Sequence, residues 1–170
     1  MDLARYIRDI PDFPKPGILF KDITPLLSSP AAFEESIRIM ATEFAKEPVD
    51  AIAAAEARGF LFAAPLALVM QKPLVPLRKP GKLPYSTHRL EYELEYGKAE
   101  LQVHTDGFEK GARVLIVDDV LATGGTMQAA CKLVAQAGGK VAACAVLVEL
   151  LFLRGRERLA PHRVYSVLQY

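Results

Sequence analysis

The residues best suited to chemistry lie in one stretch, Val114 to Thr126, which reads Val-Leu-Ile-Val-Asp-Asp-Val-Leu-Ala-Thr-Gly-Gly-Thr. Its first four residues are apolar and mostly β-branched, which is typical of a strand buried on both faces. Asp118 and Asp119 then stand at the carboxyl end of that strand. In open α/β sheets, this is the edge at which ligands bind.

The five residues that follow the strand are suited to holding a phosphate: Ala122, Thr123, Gly124, Gly125 and Thr126. Because glycine has no Cβ, backbone N–H groups can turn inward around an anion. The helix that follows adds unpaired N–H groups and the positive end of its dipole. Two carboxylates beside a phosphate make sense when a metal ion or sugar hydroxyls lie between them. We interpret the loop as a phosphate cradle.

Other phosphate motifs fit the chain less well. The sequence contains no Gly-Lys-Ser/Thr of a nucleotide P-loop and no G-x-G-x-x-G fingerprint after a strand. The alternative is an ordinary strand–turn–helix whose glycines serve close packing, which Gly-Gly alone would favour. The full pattern of strand, paired aspartates and small-residue loop favours the phosphate interpretation.

Several cations follow two further predicted strands. They are Arg58 after the strand Ala51–Glu56, and Arg78, Lys79 and Lys82 after the strand Leu74–Leu77. Since the carboxyl ends of parallel strands lie along one edge, these cations can converge on one diphosphate, which guanidinium groups bind in a bidentate fork. The alternatives are an Arg58 paired with Glu56 at the surface and a solvated charge run.

Strands alternate with helices along the chain, which predicts an α/β fold with a central, mainly parallel sheet flanked by helices. The remaining predicted elements are short helices at Asp2–Ile10 and Phe152–Arg158, helices from Pro30 (capped by Ser29) to Phe44, from Leu61 to Met70 and from Thr126 to Gly138, and strands at Val141–Val148 and Val164–Leu168.

Two segments stand apart from this alternation. Ile18–Leu27 is too apolar for a solvated linker, so it is either an arm packed on the core or a second subunit, or a lid that offers Phe20 to a flat ring. Leu83–Val103 alternates polar and aromatic residues around Gly97, which predicts a mobile hairpin flap. We expect a single domain, 1–170, with a small N-terminal hood at 1–30 and a flexible β flap at 83–103.

Composition excludes several classes of function. At 170 residues, with 51% hydrophobic residues and a net charge of +1, the chain predicts a globular domain with no affinity for nucleic acid or membranes. The N-terminus lacks the basic-then-apolar order of a signal peptide. Cys131 and Cys144 are expected to be buried thiols in a reducing, cytoplasmic compartment rather than a disulfide. The three histidines show no zinc spacing.

The central stretch resembles the phosphoribosyl pyrophosphate (PRPP) motif of type I phosphoribosyltransferases. Further segments follow in the order seen in the members of that family that act on adenine: Phe13–Pro25, Glu56–Phe60, Arg78–Pro84 and Leu94–Glu100. The resemblance covers nearly the whole chain. It implies the type I phosphoribosyltransferase fold and transfer of phosphoribosyl from PRPP to adenine, giving AMP and pyrophosphate in purine salvage.

The resemblance also implies a role for each matching residue. Ala122 to Thr126 would hold the 5′-phosphate, and Asp118 and Asp119 would face the ribose hydroxyls and Mg²⁺, which PRPP also binds. Pyrophosphate would contact Arg58, Arg78, Lys79 and Lys82, while adenine would contact Leu19, Phe20, Lys21 and Leu121. Glu95 and Tyr96 would sit on the flap and act in catalysis together with Arg58, with Glu95 as an acid toward the purine nitrogens.

Three structural expectations come from the same resemblance. The protein would be a homodimer, with the arm and the Arg78 loop as contacts. The peptide between Glu56 and Ala57 would be cis. Ala54 and Ala63 stand where the family commonly has glycine, and each needs room for its methyl group.

The residues leave rival functions open. One is a related phosphoribosyltransferase for hypoxanthine, guanine, xanthine or orotate. Another is a PRPP-sensing regulator that binds without turnover, although the chain lacks a basic DNA-binding segment. A third is a binding module whose flap carboxylate is structural.

Overall fold

The computed structural model describes residues 1–93 and 97–170. Its elements in chain order are β1 (Arg8–Pro11), β2 (Leu19–Asp22), α1 (Thr24–Leu27), α2 (Pro30–Phe44), β3 (Ala51–Ala55), α3 (Gly59–Met70), β4 (Leu74–Leu77), β5 (Thr87–Glu93), β6 (Lys98–His104), β7 (Arg113–Leu121), α4 (Gly125–Gln136), β8 (Lys140–Glu149) and β9 (Val164–Gln169). Short 3₁₀ helices span Leu3–Tyr6, Leu151–Leu153 and Gly155–Leu159.

A parallel sheet in the order β4-β3-β7-β8-β9 forms the centre of the molecule. From β3 the chain moves outward to β4, whereas from β7 it moves the other way, to β8 and β9. The direction of winding therefore reverses between β3 and β7. The loops that leave these two neighbouring strands diverge there and open a crevice at their carboxyl ends. The predicted α/β architecture is confirmed.

Two apolar layers cover the sheet. One contains buried side chains of α2 and α3, such as Met40 and Phe62, and the other contains α4 side chains such as Leu133. Strand β7 serves both layers, because Leu115 packs in the first and Ile116 in the second. This alternation confirms that the central strand is buried on both faces.

The helix predicted from Pro30 to Phe44 is confirmed as α2. The Ser29 hydroxyl accepts a hydrogen bond from the Ala32 N–H, and Pro30 occupies the first turn. The two alanines at positions where the family commonly has glycine, Ala54 and Ala63, are both fully buried in the core. The backbone therefore accommodates their methyl groups.

The predicted N-terminal helix at Asp2–Ile10 is wrong beyond its first turn. A 3₁₀ helix spans Leu3–Tyr6, and the chain then enters β1, which pairs antiparallel with β2 through partners such as Ile10 and Phe20. The Asp12 side chain accepts a hydrogen bond from the Gly17 N–H and closes the intervening loop. Pairing with a distant strand, which helical spacing does not reveal, decides this segment.

The predicted helix at Phe152–Arg158 is also corrected. Two 3₁₀ helices replace it, separated by Arg154, whose φ of 54° is left-handed, and followed directly by the buried Gly155. The break between the two 3₁₀ helices lies where the Gly155 backbone contacts the backbone of Ala122 and Gly124.

The predicted hairpin forms as β5 and β6, paired antiparallel from Thr87 opposite His104 to Glu93 opposite Lys98. Gly97 has φ of +93°, as a turn position requires. Leu90 and Tyr92 of this hairpin pack against the apolar layer that contains α4. The hairpin therefore lies over the carboxyl end of the sheet, next to the first turn of that helix.

The two cysteines are free and buried, with their Sγ atoms 3.6 Å apart. Their burial agrees with the expectation for both side chains. In the described ranges, no helix has both the length and the apolar character needed to cross a membrane.

Candidate active site

A cavity of about 1000 Å³ opens at the carboxyl ends of β3 and β7, where the winding of the sheet reverses. Sequence-predicted residues among its lining are Arg58, Asp118, Asp119, Leu121 and Ala122 to Thr126. Lining residues that the sequence did not single out include Tyr92, Glu93, Gln128, Lys132 and Arg158. The structure thus brings the predicted phosphate loop, the paired aspartates and one arginine to a single chamber.

The phosphate loop leads directly into α4. Gly124 is the N-cap residue with φ of +84°, and the described residues supply no side-chain cap. The first N–H groups of α4 therefore keep no side-chain partner and face the cavity with the positive end of the dipole. This arrangement suits an anion, because a bound phosphate takes the place of the missing cap.

The same loop is held from behind by the backbone of Gly155. A Cβ added to Gly124 would lie 2.6 Å from the Gly155 carbonyl oxygen, and a Cβ added to Gly155 would overlap the Ala122 carbonyl. Glycine is needed on both sides of this contact. Sequence reasoning missed Gly155; its one signal was a lone glycine inside a predicted helix.

The two aspartates occupy different positions at the end of β7. Asp119 is 4% exposed, and its Oδ2 lies 2.6 Å from Nε of Arg58. The N–H direction does not make this ion pair a hydrogen bond, so Oδ2 is without a hydrogen-bond partner among the described residues. The Asp119 N–H donates to Oδ1 of Asp118, which packs against Gly59 at the start of α3.

Burial, together with the neighbouring Asp119 carboxylate, raises the pKa of Asp118 well above its ordinary value of 3.8, and the Arg58 cation only partly opposes this. Asp118 therefore keeps its proton to a higher pH than an ordinary carboxyl, because a second negative charge beside Asp119 is unfavourable. A cation or a hydroxyl donor from a ligand would stabilise the ionised form. The described residues contain no cluster of three or more acidic, histidine or cysteine side chains suited to a metal.

The four predicted cations do not all converge. Arg58 lines the cavity, and its guanidinium lies 5.9 Å from the Phe20 ring. Arg78 instead forms an ion pair with Glu56. Burial alone would raise the pKa of Glu56, but this partner holds it below its usual range. The peptide from Glu56 to Ala57 is cis, as expected.

Lys79 and Lys82, the two lysines predicted to bind the diphosphate, lie outside the described lining of the main cavity. Lys79 is exposed and lines a smaller neighbouring cavity of about 700 Å³ together with Lys98 and Thr126. Lys82 is exposed and belongs to the described lining of neither cavity. The alternative in which Arg58 pairs with Glu56 is wrong, because Glu56 takes Arg78 and Arg58 takes Asp119.

The predicted base-binding residues of the N-terminal hairpin lie beside the cavity rather than in its described lining. Leu19 is 46% exposed, and Phe20 packs edge-on against Phe13 with ring centroids 5.1 Å apart. The Lys21 ammonium lies 2.6 Å from Oδ1 of Asp9 and 4.0 Å from the centroid of the Tyr170 ring. The side chain of Lys21 is therefore engaged by Asp9 and Tyr170.

The predicted catalytic residues Glu95 and Tyr96 lie outside the described residues. The hairpin stem on the N-terminal side of them reaches the cavity, since Tyr92 and Glu93 belong to its lining. The Glu93 carbonyl would lie 3.5 Å from a Cβ added to Gly125. The hairpin therefore approaches the phosphate loop closely.

Comparison with known proteins identifies the class of protein to which this fold and site belong. Residues 22–169 match the family model described as phosphoribosyl transferase domain. The chain therefore belongs to the phosphoribosyltransferase family.

Particular relatives narrow this assignment. The adenine phosphoribosyltransferase of Rhodopirellula baltica is 54% identical over 170 residues, which are 100% of this chain and 82% of that protein. The crystal structure of the adenine phosphoribosyltransferase from Thermoanaerobacter pseudethanolicus matches with a TM-score of 0.96 and 51% identity, over 99% of this chain and 98% of that one. These relatives place the chain among the adenine phosphoribosyltransferases.

A third relative was solved with ligands. The adenine phosphoribosyltransferase of Saccharomyces cerevisiae, complexed with an imino-altritol bisphosphate and adenine, has a TM-score of 0.91 and 35% identity, over 98% of this chain and 96% of that one. The family resemblance drawn from the sequence motifs is confirmed by all of these matches.

Replacing Gly155 with alanine tests the backbone contact behind the phosphate loop. The added methyl group would push the Ala122 carbonyl away, so we expect the dissociation constant for PRPP to rise about ten-fold or more as the cradle is displaced. Isothermal titration calorimetry measures this change. Gly138→Ala, which strains a glycine with φ of +88° in open space away from the loop, is the control and should leave PRPP affinity unchanged. Unaltered affinity in Gly155→Ala would refute the positioning role.

The raised pKa of Asp118 predicts a pH-dependent stability difference. A carboxyl whose pKa is raised by folding lowers the free energy of unfolding progressively as pH rises from its ordinary value of 3.8 toward the folded-state value. Asp118→Asn should therefore be more stable than the original protein at pH 8, in chelator and without ligand, and this advantage should shrink toward pH 4. Urea denaturation at several pH values measures the difference, and an advantage independent of pH would contradict it.

Proposed function

We propose that this enzyme transfers the 5-phosphoribosyl group from PRPP to adenine, releasing AMP and pyrophosphate, as a step of purine salvage. One observation carries the proposal: the helix-terminal phosphate loop, the paired aspartates and Arg58 line one cavity, beside the N-terminal hairpin. The names of the relatives, and the adenine bound in the yeast structure, support the same reaction.

PRPP is held at its 5′-phosphate by the loop from Ala122 to Thr126. The uncapped N–H groups of α4 and the threonine hydroxyls donate to the phosphate oxygens, and the helix dipole favours their charge. With one end of the substrate fixed there, the ribose extends toward Asp118 and Asp119. The carboxylates accept hydrogen bonds from its hydroxyls.

Mg²⁺ fits the donors at this position. The two aspartates are hard oxygen ligands, and Oδ2 of Asp119 lies next to Arg58 without a hydrogen bond among the described residues. A set of two carboxylates is small for a metal site, but Mg²⁺ commonly uses one or two carboxylates together with substrate phosphates. When bound, it offsets the negative charge that gathers on the leaving pyrophosphate.

The leaving group meets the cations that follow β3 and β4. Arg58 is positioned by its ion pair with Asp119, at the wall where the pyrophosphate would lie. Arg78, Lys79 and Lys82 contribute further positive charge from the neighbouring loop. These groups stabilise the charge that develops on the pyrophosphate as its bond to the sugar breaks.

Adenine is recognised by the N-terminal hood, residues 1–30. Because the base has no carbonyl oxygen, its 6-amino group needs an acceptor, which backbone carbonyls at Leu19 and Lys21 supply and a lysine side chain does not. Phe20 stacks on the ring and Leu121 packs near it. Adenine N9 then attacks C1′ directly, so the protein needs no nucleophile.

The flap, residues 83–103, completes the site in this proposal. Glu95 exchanges a proton with the purine nitrogens: its carboxylate takes the N–H proton that adenine loses as N9 bonds to C1′, and the protonated Glu95 is the acid toward the purine in the reverse reaction. Tyr96 helps to cover the reacting centre. Closure keeps water from capturing the cation-like sugar carbon. The enzyme works in the cytoplasm, where its two buried thiols stay reduced.

A base panel tests the reaction directly. The protein is incubated with PRPP and Mg²⁺ and one of adenine, hypoxanthine, guanine, xanthine or orotate, and nucleotides are separated by chromatography. We expect AMP from adenine, no product from the other bases, and loss of turnover in excess EDTA. Product from another base would reassign the specificity. Absence of any product while PRPP still binds would favour a PRPP-sensing regulator.

A second copy of this chain is the partner that the surface of α3 favours. The helix, Gly-Phe-Leu-Phe-Ala-Ala-Pro-Leu-Ala-Leu-Val-Met, has no charged residue, yet Leu61, Leu68 and Val69 are 44%, 81% and 60% exposed. A helix that is apolar all round is normally buried, so a homodimer would cover this face. Because α3 begins directly after Arg58, such an interface would adjoin the cavity. The hood and the Arg78 loop remain further candidate contacts.

Placing a charge on this face tests the homodimer. Leu68→Glu would have to bury a carboxylate at the interface, which costs several kcal/mol when the charge has no partner, so we expect monomers. Analytical ultracentrifugation measures the mass. Phe152→Glu, at another apolar residue that is 68% exposed, is the control and should keep the dimer. Dimers of Leu68→Glu as stable as the original would exclude α3 as the interface.

A further inference from the structure

Arg158 differs from the two other arginines of its segment, Arg154 and Arg156. Nε of Arg154 donates to Oε1 of Glu157 at 2.7 Å, and Arg156 makes two hydrogen bonds to Glu149 at 2.6 and 2.5 Å. Within residues 1–93 and 97–170, the guanidinium of Arg158 has no such acceptor. An exposed arginine without a partner is unremarkable by itself, so its position decides what it does.

Buried contacts and hydrogen bonds hold the backbone of the segment that carries Arg158 in place. Glu149 is 2% exposed and accepts hydrogen bonds from both Arg156 and the Ser166 hydroxyl, the latter at 2.8 Å. Leu159 is 1% exposed in the apolar layer that contains α4. Gly155 meets the phosphate loop through backbone atoms. The Cα of Arg158 is therefore fixed relative to that loop, although the side chain itself reaches solvent.

The guanidinium lies at the start of α4. Its Nη1 is 3.7 Å from the position that a Cβ on Gly125 would take. The Arg158 carbonyl accepts a hydrogen bond from Nε2 of Gln128 at 3.0 Å, which ties the backbone to the first turn of the helix. Both Arg158 and Gln128 line the cavity. The cation thus stands beside the N–H groups assigned above to the 5′-phosphate.

The charge of a bound phosphate, compared with the positive charge near the loop, indicates a role for Arg158. The donors of the phosphate loop are neutral, and the helix dipole amounts to about half an elementary charge, whereas a phosphate monoester carries nearly two negative charges at neutral pH. Arg58 is already paired with Asp119. Lys132 also lines the cavity, but it lies about 10 Å along α4 from Gly125 by helix geometry. Arg158 places a full positive charge beside Gly125 of the loop, and among the described residues its guanidinium has no acceptor.

We propose that Arg158 is a binding residue for the 5′-phosphate of PRPP and AMP, which it holds with a charge-assisted contact at the start of α4. This assignment rests on the proposed function, which defines the phosphate. It predicts that Arg158 distinguishes ligands with a 5′-phosphate from ligands without one. Pyrophosphate, which binds at Arg58, does not depend on it.

The test compares Arg158→Gln with Arg154→Gln, which removes the same charge from the same segment at a solvent-exposed pair. Isothermal titration calorimetry measures binding of ribose 5-phosphate, AMP, adenosine and Mg²⁺-pyrophosphate to each variant and to the original protein. We expect Arg158→Gln to weaken ribose 5-phosphate and AMP about 10- to 100-fold, the range for a lost hydrogen bond to a charged group. Adenosine and pyrophosphate should change less than two-fold, and Arg154→Gln should match the original throughout.

Arg158→Lys is the second variant, and it should recover part of the lost affinity because it keeps the charge without the planar fork. Unchanged binding of ribose 5-phosphate to Arg158→Gln, or an equal loss for pyrophosphate, would overturn the assignment. The base panel separates this outcome from failure of the proposed function. A protein that makes no AMP but binds ribose 5-phosphate through Arg158 would disprove the reaction and keep the assignment. A protein that does not bind ribose 5-phosphate would overturn it.

Discussion

The parallel pairing of β3 with β7 is the constraint on which the rest of the site depends. The register sets Ala54 beside Val117, so the loop after β3 leaves the sheet beside the last residues of β7, which extends to Leu121. The loop after β3 carries Arg58, while Asp119 lies on β7 just before the phosphate loop, and their ion pair bridges the crevice. Since α3 and α4 start from these loops, the same pairing also fixes where each helix presents its N-terminus.

The third wall of the chamber comes from much later in the chain. The segment after β8 reaches back to the phosphate loop and meets it without intervening side chains, which only glycine allows at Gly124 and Gly155. The buried Glu149, with Arg156 and Ser166, holds this segment at the edge of the sheet. The chamber is therefore assembled from three strand ends rather than from one continuous motif.

Sequence patterns were sufficient where the structure is decided locally. The buried strand β7, the helix α2 with its Ser29 cap and the small-residue loop all follow from short-range periodicity and residue type. They were insufficient where distant segments meet. The N-terminal segment became a strand because β2 pairs with it.

The charged residues of the site show the same limit. The importance of Gly155 and Arg158 depends on contacts with residues about thirty positions earlier in the chain. Of the four cations expected to converge, only Arg58 belongs to the described lining of the cavity, because Arg78 pairs with Glu56 and the two lysines lie farther out. Spacing along the chain identifies charges but does not say how they pair.

The two ion pairs have a consequence for selectivity. Arg58 and Arg78 each form an ion pair with a carboxylate, so an anion that binds either arginine must exchange with that internal counter-ion. A small monovalent anion gains little from such an exchange. A polyanion that binds both arginines replaces both lost ion pairs, and a divalent cation that it brings stabilises the two released carboxylates. The two internal carboxylates thus favour polyanions over small monovalent anions at these arginines.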